Sequence, residues 1–317
     1  MSNDEFKIHA YAAKHKSEQV IEVSSSGGAF TAFSDWILEQ GGIIIGAIFD
    51  NSTQMVHHVI AQTSEERDLM RGSKYIWSDL NNVFNQSVPY IQDKIWTLFV
   101  GTPCQVAGYK AFLRNKNLPN DRVILCDIVC HGTPDPKIWK DYVSIINKKY
   151  GNIDKLNFRD KRNGWSHPTT YAYCGNKEIS IADYTDIFYS QCALQNKCYS
   201  CKYASLVRPG DITIGDCWGI DKISPDFSDD QGVSLIIVHS HMGNVFLDRV
   251  KSSLMIREIP INDCLQPNLK EPTSASPERE KFLKEYKKYG IRYILAKYSK
   301  HHFYGRIRHK IKYILSR

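Results

Sequence analysis

The sequence lacks any apolar stretch able to cross a bilayer: its longest, Gly41 to Phe49, falls far short of the about 20 residues a membrane helix needs. Neither the dinucleotide fingerprint GxGxxG nor the phosphate loop GxxxxGK[ST] occurs, which excludes the two nucleotide sites most readily identified by motif. Internal repeats and low-complexity tracts are absent, so a solenoid or a disordered scaffold is not expected. The polar start Met1-Ser2-Asn3-Asp4-Glu5 has no apolar signal core, and a cytoplasmic location is the expectation. The nine cysteines are odd in number and would stay reduced there, so disulfide pairing is the weaker reading.

Acidic residues are scarce in one place. From Arg279 to Arg317 there are thirteen Lys and Arg against two Glu, whereas the preceding part carries 28 against 32 Asp and Glu. The net charge of +7 therefore hides an acidic body and a basic tail. Tyr286, Tyr289, Tyr293, Tyr298, Phe303, Tyr304 and Tyr313 interleave with the tail's cations. No nucleic-acid-binding module accompanies them, so an anionic membrane surface ranks before nucleic acid, with a solvated helical extension as the plain alternative.

The 317 residues, 42% hydrophobic and 24% charged, suit one large α/β domain or two small ones. Ser24-Ser25-Ser26-Gly27-Gly28 opens a helix to about Gln40, followed by strands at Ile43 to Phe49 and Met55 to Ala61. Thr63 to Glu66 is a capping box, and Arg71-Gly72-Ser73-Lys74-Tyr75 a loop. Strand, glycine turn and helix then occur twice, as Trp96–Val100, Gly101–Cys104 and Gln105–Leu113, and as Val123–Val129, Cys130–Pro136 and Lys137–Tyr150. This is a parallel βαβ pattern, in which ligands bind beyond the strands' carboxyl ends. The turns holding Cys104 and Cys130 thus open on one edge. Beyond Asn152, short strands and charged turns lead through Cys198-Tyr199-Ser200-Cys201 to Asp211–Gly219 and a strand at Val233 to His239. A helix near Asn244 to Ser252 and a strand at Met255 to Ile259 follow, and Pro267 to Pro277 reads as a linker.

Cys104, Cys130, Cys198 and Cys201 together supply the thiolates of an iron–sulfur cluster or a structural zinc. One local pair plus two singletons on sheet turns suits the cluster better, since zinc ribbons usually bring two local pairs. Cys126, Cys174 and Cys264 read as small core hydrophobes, with Cys192 and Cys217 as reserve ligands. The Ser25-Ser26-Gly27-Gly28 turn offers backbone N–H groups to a phosphate, although helix capping is its commoner use. Arg71, Gly72, Ser73, Lys74 and Tyr75 add two cations, a flexible glycine and a ring, and Gly101-Thr102 a third backbone cradle. His131 is a candidate proton donor or sulfur hydrogen-bond donor, with a satisfied turn histidine as the plain alternative. Asp211, Asp216 and Asp221 fit no EF-hand spacing and read as turn and cap residues.

The segments SSSGG, RGSKY, GTPCQ, CDIVCHG, NFRDK, CYSC and DITIGDCWG, in this order over roughly Tyr11 to Asn268, resemble the coenzyme F420 hydrogenase/dehydrogenase beta-subunit family. That resemblance implies FAD beside a [4Fe–4S] cluster, with Cys104, Cys130, Cys198 and Cys201 as ligands. It implies FAD contacts at Ser25, Ser26, Gly27, Gly28, Arg71, Gly72, Ser73, Lys74, Tyr75, Gly101, Thr102 and Gln105. The upstream two-cluster ferredoxin module of many relatives is missing here, so a separate ferredoxin-like donor is implied. Gly215 to Gly219 departs from the archaeal deazaflavin-reducing pattern and looks more like a bacterial branch associated with polysaccharide assembly. A glycan-precursor acceptor is therefore favoured over coenzyme F420.

The expected fold is α/β, a mixed or parallel sheet flanked by helices, with a smaller cysteine-bearing α+β C-terminal part and a basic helical tail. The expected divisions are 1–150 for the FAD-binding part, 151–268 for the CxxC part and 269–317 for linker and tail. The expected activity is a flavin and iron–sulfur oxidoreductase with His131 as catalytic residue, its basic tail at the inner membrane face, with no nucleic acid and self-association left open. The competing readings are a zinc-stapled binding protein and a nucleotide-sugar transferase.

Overall fold

The computed structural model describes residues 6–301. Its strands, in chain order, are β1 (His9–His15), β2 (Ile43–Asp50), β3 (Met55–Ala61), β4 (Ser78–Asp79), β5 (Thr97–Gly101), β6 (Val123–Ile128), β7 (Lys155–Asp160), β8 (Thr169–Cys174), β9 (Lys177–Ser180), β10 (Ile212–Asp216), β11 (Ser234–Val238) and β12 (Leu254–Ile259). Nine of them form one mixed sheet in the order β12-β1-β11-β10-β6-β5-β2-β3-β4. β2, β5, β6 and β10 pair parallel, and β1 runs the same way between antiparallel β11 and β12. The carboxyl ends of β1, β5, β6 and β10 therefore share one edge, and the sheet takes strands from both sides of residue 150.

Local chemistry sets the helices. Ile43-Ile44-Ile45 is β-branched and fully buried, as a central strand requires. At the start of helix Pro103–Asn115, Gln105 Oε1 accepts from the Thr102 N–H at 2.9 Å and Pro103 sits where no N–H partner is needed. Asp135 caps helix Pro136–Tyr150 by accepting from the Lys137 N–H at 2.8 Å. That helix buries Ile138, Trp139, Tyr142, Val143 and Ile146, one face at helical spacing.

The antiparallel sheet β7-β8-β9 lies beside this helix. Phe158, Ala172, Tyr184 and Trp139 share a core with Phe282, Ile291, Ile294 and Leu295 of the last helix, Arg279–Tyr298. The first half of the expected tail is thus part of the packed body and not a solvated extension. Gly290, with φ +76°, breaks that helix into two segments. Residues 302–317, which carry the rest of the basic aromatic pattern, lie outside the described residues. No described helix is long and apolar enough to cross a membrane.

Candidate cysteine centre

The turn after β6 meets the CxxC segment at the edge it shares with the turn after β5. The chain leaving β6 zips onto the segment before Cys198: Gln195 N–H donates to Thr133 O and Asp135 N–H to Ala193 O, at 2.9 and 3.0 Å, with a bridge between Pro134 and Leu194. Cys198 then lies in the 3-10 turn Asn196–Ser200, and the Thr133 N–H points at its sulfur at 3.5 Å. A Cβ added at Gly132 would stand 3.1 Å from Cys198 Cβ, so the glycine permits this approach. On the inner side, Arg208 donates to Asp127 Oδ1, to Ile128 O and to Tyr203 O, tying the chain just beyond Cys201 to the strand that leads to Cys130.

Burial pushes the Cys130 thiol up to about 12; the Gly132 N–H opposes this, while the charges of Cys104, Cys198 and Cys201 add to it. All four thiols thus belong to one electrostatic neighbourhood. Cys104, exposed at the first turn of its helix, lies 3.2 Å from the Thr102 hydroxyl. Among the described residues, no group of three or more His, Cys, Asp or Glu side chains is set to hold a metal ion. Cys192 and Cys217 are buried in apolar cores, as are Cys126, Cys174 and Cys264.

The two loops expected at a phosphate also meet. Ser73 N–H donates to Ser25 Oγ at 3.0 Å, and Gly72, at φ +83°, leaves open space beside it. The other polar atoms of these loops are largely engaged. Ser26 donates to Val233 O at 2.7 Å, and Arg71 pairs with Asp68 at 2.8 Å and Thr31 at 3.1 Å. Lys74 Nζ donates to the carbonyls of Leu69, Met70, Arg71 and Gly72, so it shapes the loop from inside. Burial lowers its pKa to about 7, and the four carbonyls favour the ammonium. Gln105 binds Thr102 and Ser78 O, tying the Gly101-Thr102 turn to β4. A Cβ at Gly27 would lie 2.3 Å from Ala13 O, so close backbone packing demands that glycine; Gly28 adopts φ +86° at the helix start. The helix itself begins at Ala29, later than the serines suggested.

Between the two sets of loops stands an aromatic wall. Tyr75 stacks on Phe188 at 4.6 Å and bonds Tyr189 through the hydroxyls at 3.1 Å, and the His131 ring lies 5.4 and 5.6 Å from Phe188 and Tyr189. His131 Nε2 is buried without a hydrogen-bond partner among the described residues. Burial lowers its pKa, an effect the Asn268 side chain opposes. Sequence reasoning missed the continuation of this wall: Arg159 grips Asp216 through two bonds of 3.0 and 3.1 Å, and Trp165 donates to Asp216 while stacking on Trp218 at 4.6 Å. The NFRDK and GDCWG segments carried Arg159, Asp216 and Trp218 without showing that they would pair.

Residues 10–85 match the N-terminal part and residues 96–263 the C-terminal part of the coenzyme F420 hydrogenase/dehydrogenase beta-subunit family. The chain belongs to that family. Its fold is similar to a solved chain of the F420-reducing [NiFe] hydrogenase complex from Methanosarcina barkeri, with TM-score 0.54 and 18% identity over 92% of this chain and 97% of that one. No curated protein matches the chain. The mixed α/β fold expected from the sequence is the fold of this family, whose members are oxidoreductase subunits.

Proposed function

We propose that this chain is an iron–sulfur flavoprotein oxidoreductase in which Cys104, Cys130, Cys198 and Cys201 hold a [4Fe–4S] cluster and the Ser25–Gly28 and Gly72–Tyr75 loops hold FAD. The observation that carries the reading is the backbone zipper between residues 133–135 and 193–195, which sets Cys130 beside Cys198. Four soft thiols drawn from three turns fit a body with four corners better than a single ion. For the flavin, the exposed Ser25–Gly72–Ser73 edge and the neighbouring Tyr75 ring fit a phosphate-bearing aromatic cofactor.

When bound, such a pair couples one-electron carriers to a two-electron organic acceptor. The chain's own residues hold and insulate it. Thr133 N–H and the Thr102 hydroxyl approach the sulfurs of Cys198 and Cys104, where they stabilise thiolate charge. Phe188 and the Tyr75 ring stacked on it fill the space between the two loop sets, and His131 presents a buried nitrogen able to hold a proton. Electrons come from a ferredoxin-like carrier in the cytoplasm. The acceptor is a small organic molecule, either coenzyme F420 or a glycan precursor. Protein purified without oxygen should be brown, bleach with dithionite and release FAD on denaturation. Colourless protein, or release of a sugar nucleotide, would overturn the proposal.

A further inference from the structure

The first residue of the last helix reaches into the cysteine centre. Arg279 Nη1 donates to Cys192 O and to the Tyr199 hydroxyl, the latter at 3.0 Å, and Nη2 donates to Asn196 Oδ1 at 2.7 Å. Its guanidinium lies 4.5 Å from the centroid of the Tyr199 ring. Tyr199 in turn donates to Gln191 O at 2.7 Å. One planar fork therefore holds three points between residues 192 and 199, on and just before the 3-10 turn Asn196–Ser200 that presents Cys198. The chain leading to Arg279 bonds the same site: Thr273 Oγ1 donates to His131 O at 2.7 Å and Ser276 N–H to Gln191 O at 3.2 Å. On the other side, Arg208 grips Asp127 and Tyr203 O, so the CxxC turn is held between two guanidinium groups.

We propose that Arg279 is a positioning residue of the cysteine centre, holding the Cys198–Cys201 turn in its ligating shape and placing a positive charge beside it. Its acceptors are all neutral, so its charge stays uncompensated by them and acts on the adjoining thiolates. The inference rests on the proposed ligand set. Two contributions separate: the fork's geometry, which only arginine supplies, and the charge, which lysine keeps.

The test uses the full chain with Arg279→Gln and Arg279→Lys, each checked for an unchanged thermal transition. In metal-free protein at alkaline pH, where the thiols are ionised in every variant, alkylation of Cys198 and Cys201 should speed several-fold in both variants, while Cys104 stays unchanged. In iron-loaded protein, both variants should lose iron to a chelator faster. The midpoint potential should fall in Arg279→Gln and return towards the original value in Arg279→Lys, because positive charge favours the reduced cluster. Should Arg279→Gln fail to fold, Tyr199→Phe removes one acceptor and should give a smaller change of the same sign. Unchanged alkylation rates in the metal-free variants would overturn the inference. Absence of iron from the unmodified protein would instead overturn the ligand set, and the alkylation result would still decide the clamp.

Discussion

Asp127 and Arg208 form an ion pair at 2.6 Å whose side chains are 0% and 1% exposed, three residues before Cys130 and seven after Cys201. Gly210 N–H and the Thr213 hydroxyl satisfy the same carboxylate, at 3.1 and 2.7 Å. A buried pair of this kind is costly to break, because the surviving charge has no solvent. Arg208→Met should lower unfolding free energy by about 3–5 kcal/mol. Adding Asp127→Asn should recover part of that loss, measured by urea denaturation; an additive double variant would contradict the coupling.

Gly27 carries a second prediction. A methyl group there would collide with Ala13 O and, at 2.6 Å, with Ser234 N. Both are backbone atoms of the sheet and cannot rotate away. Gly27→Ala should destabilise by about 1–3 kcal/mol through overpacking and displace the Ser25 loop. A variant with wild-type stability would show that β1 and β11 yield more easily than close packing allows.

The last helix is a test of where the body ends. Phe282 is fully buried among Tyr286, Tyr298 and the neighbouring core. Phe282→Ala should cost about 3–5 kcal/mol. Truncation after Pro277 should therefore unfold the protein and not merely remove a tail. A soluble, cooperative truncated protein would refute this.

Acid should destabilise the fold through buried histidines. Burial pushes His58 and His239 down to about 4. In the unfolded chain each titrates near 6.5. The unfolded state binds more protons between these values, so stability is complete above about 6.5 and falls as pH drops towards 4. The full effect is about 3 kcal/mol per histidine at low pH. His58 bonds Ser78 Oγ at 2.7 Å and Val100 O at 3.1 Å, both able to accept from a protonated ring, so burial sets the cost of its protonation. His58→Gln should flatten the pH slope of denaturation; an unchanged slope would contradict the assignment.

Much of the fold was readable because its signals are local. The Thr102–Pro103 and Asp135–Pro136 helix starts fell within a residue or two of expectation, since caps and glycine turns act over a few positions. β1 was not foreseen: His9-Ala10-Tyr11-Ala12-Ala13-Lys14-His15 is short and weakly apolar, and it becomes a strand only by lying between β11 and β12. The four cysteines were singled out by type and by the shared strand edge. Arg208, Arg279 and Arg159 were not, because their partners lie 81, 87 and 57 residues away and arginines at those places read as ordinary surface charge. Lys74 and Gln105 attracted notice as ligand contacts, yet their polar atoms complete local turns.

One inorganic centre is expected to join sulfurs from three stretches of chain. The most direct measurement is iron and acid-labile sulfide in anaerobically purified protein, compared with Cys130→Ala and Cys126→Ala. Cys126 is buried in the adjoining strand and serves as the control. About four iron and four sulfide per chain are predicted for the unmodified protein and for Cys126→Ala, and a large loss for Cys130→Ala. Iron-free unmodified protein, or equal iron in both variants, would contradict the account.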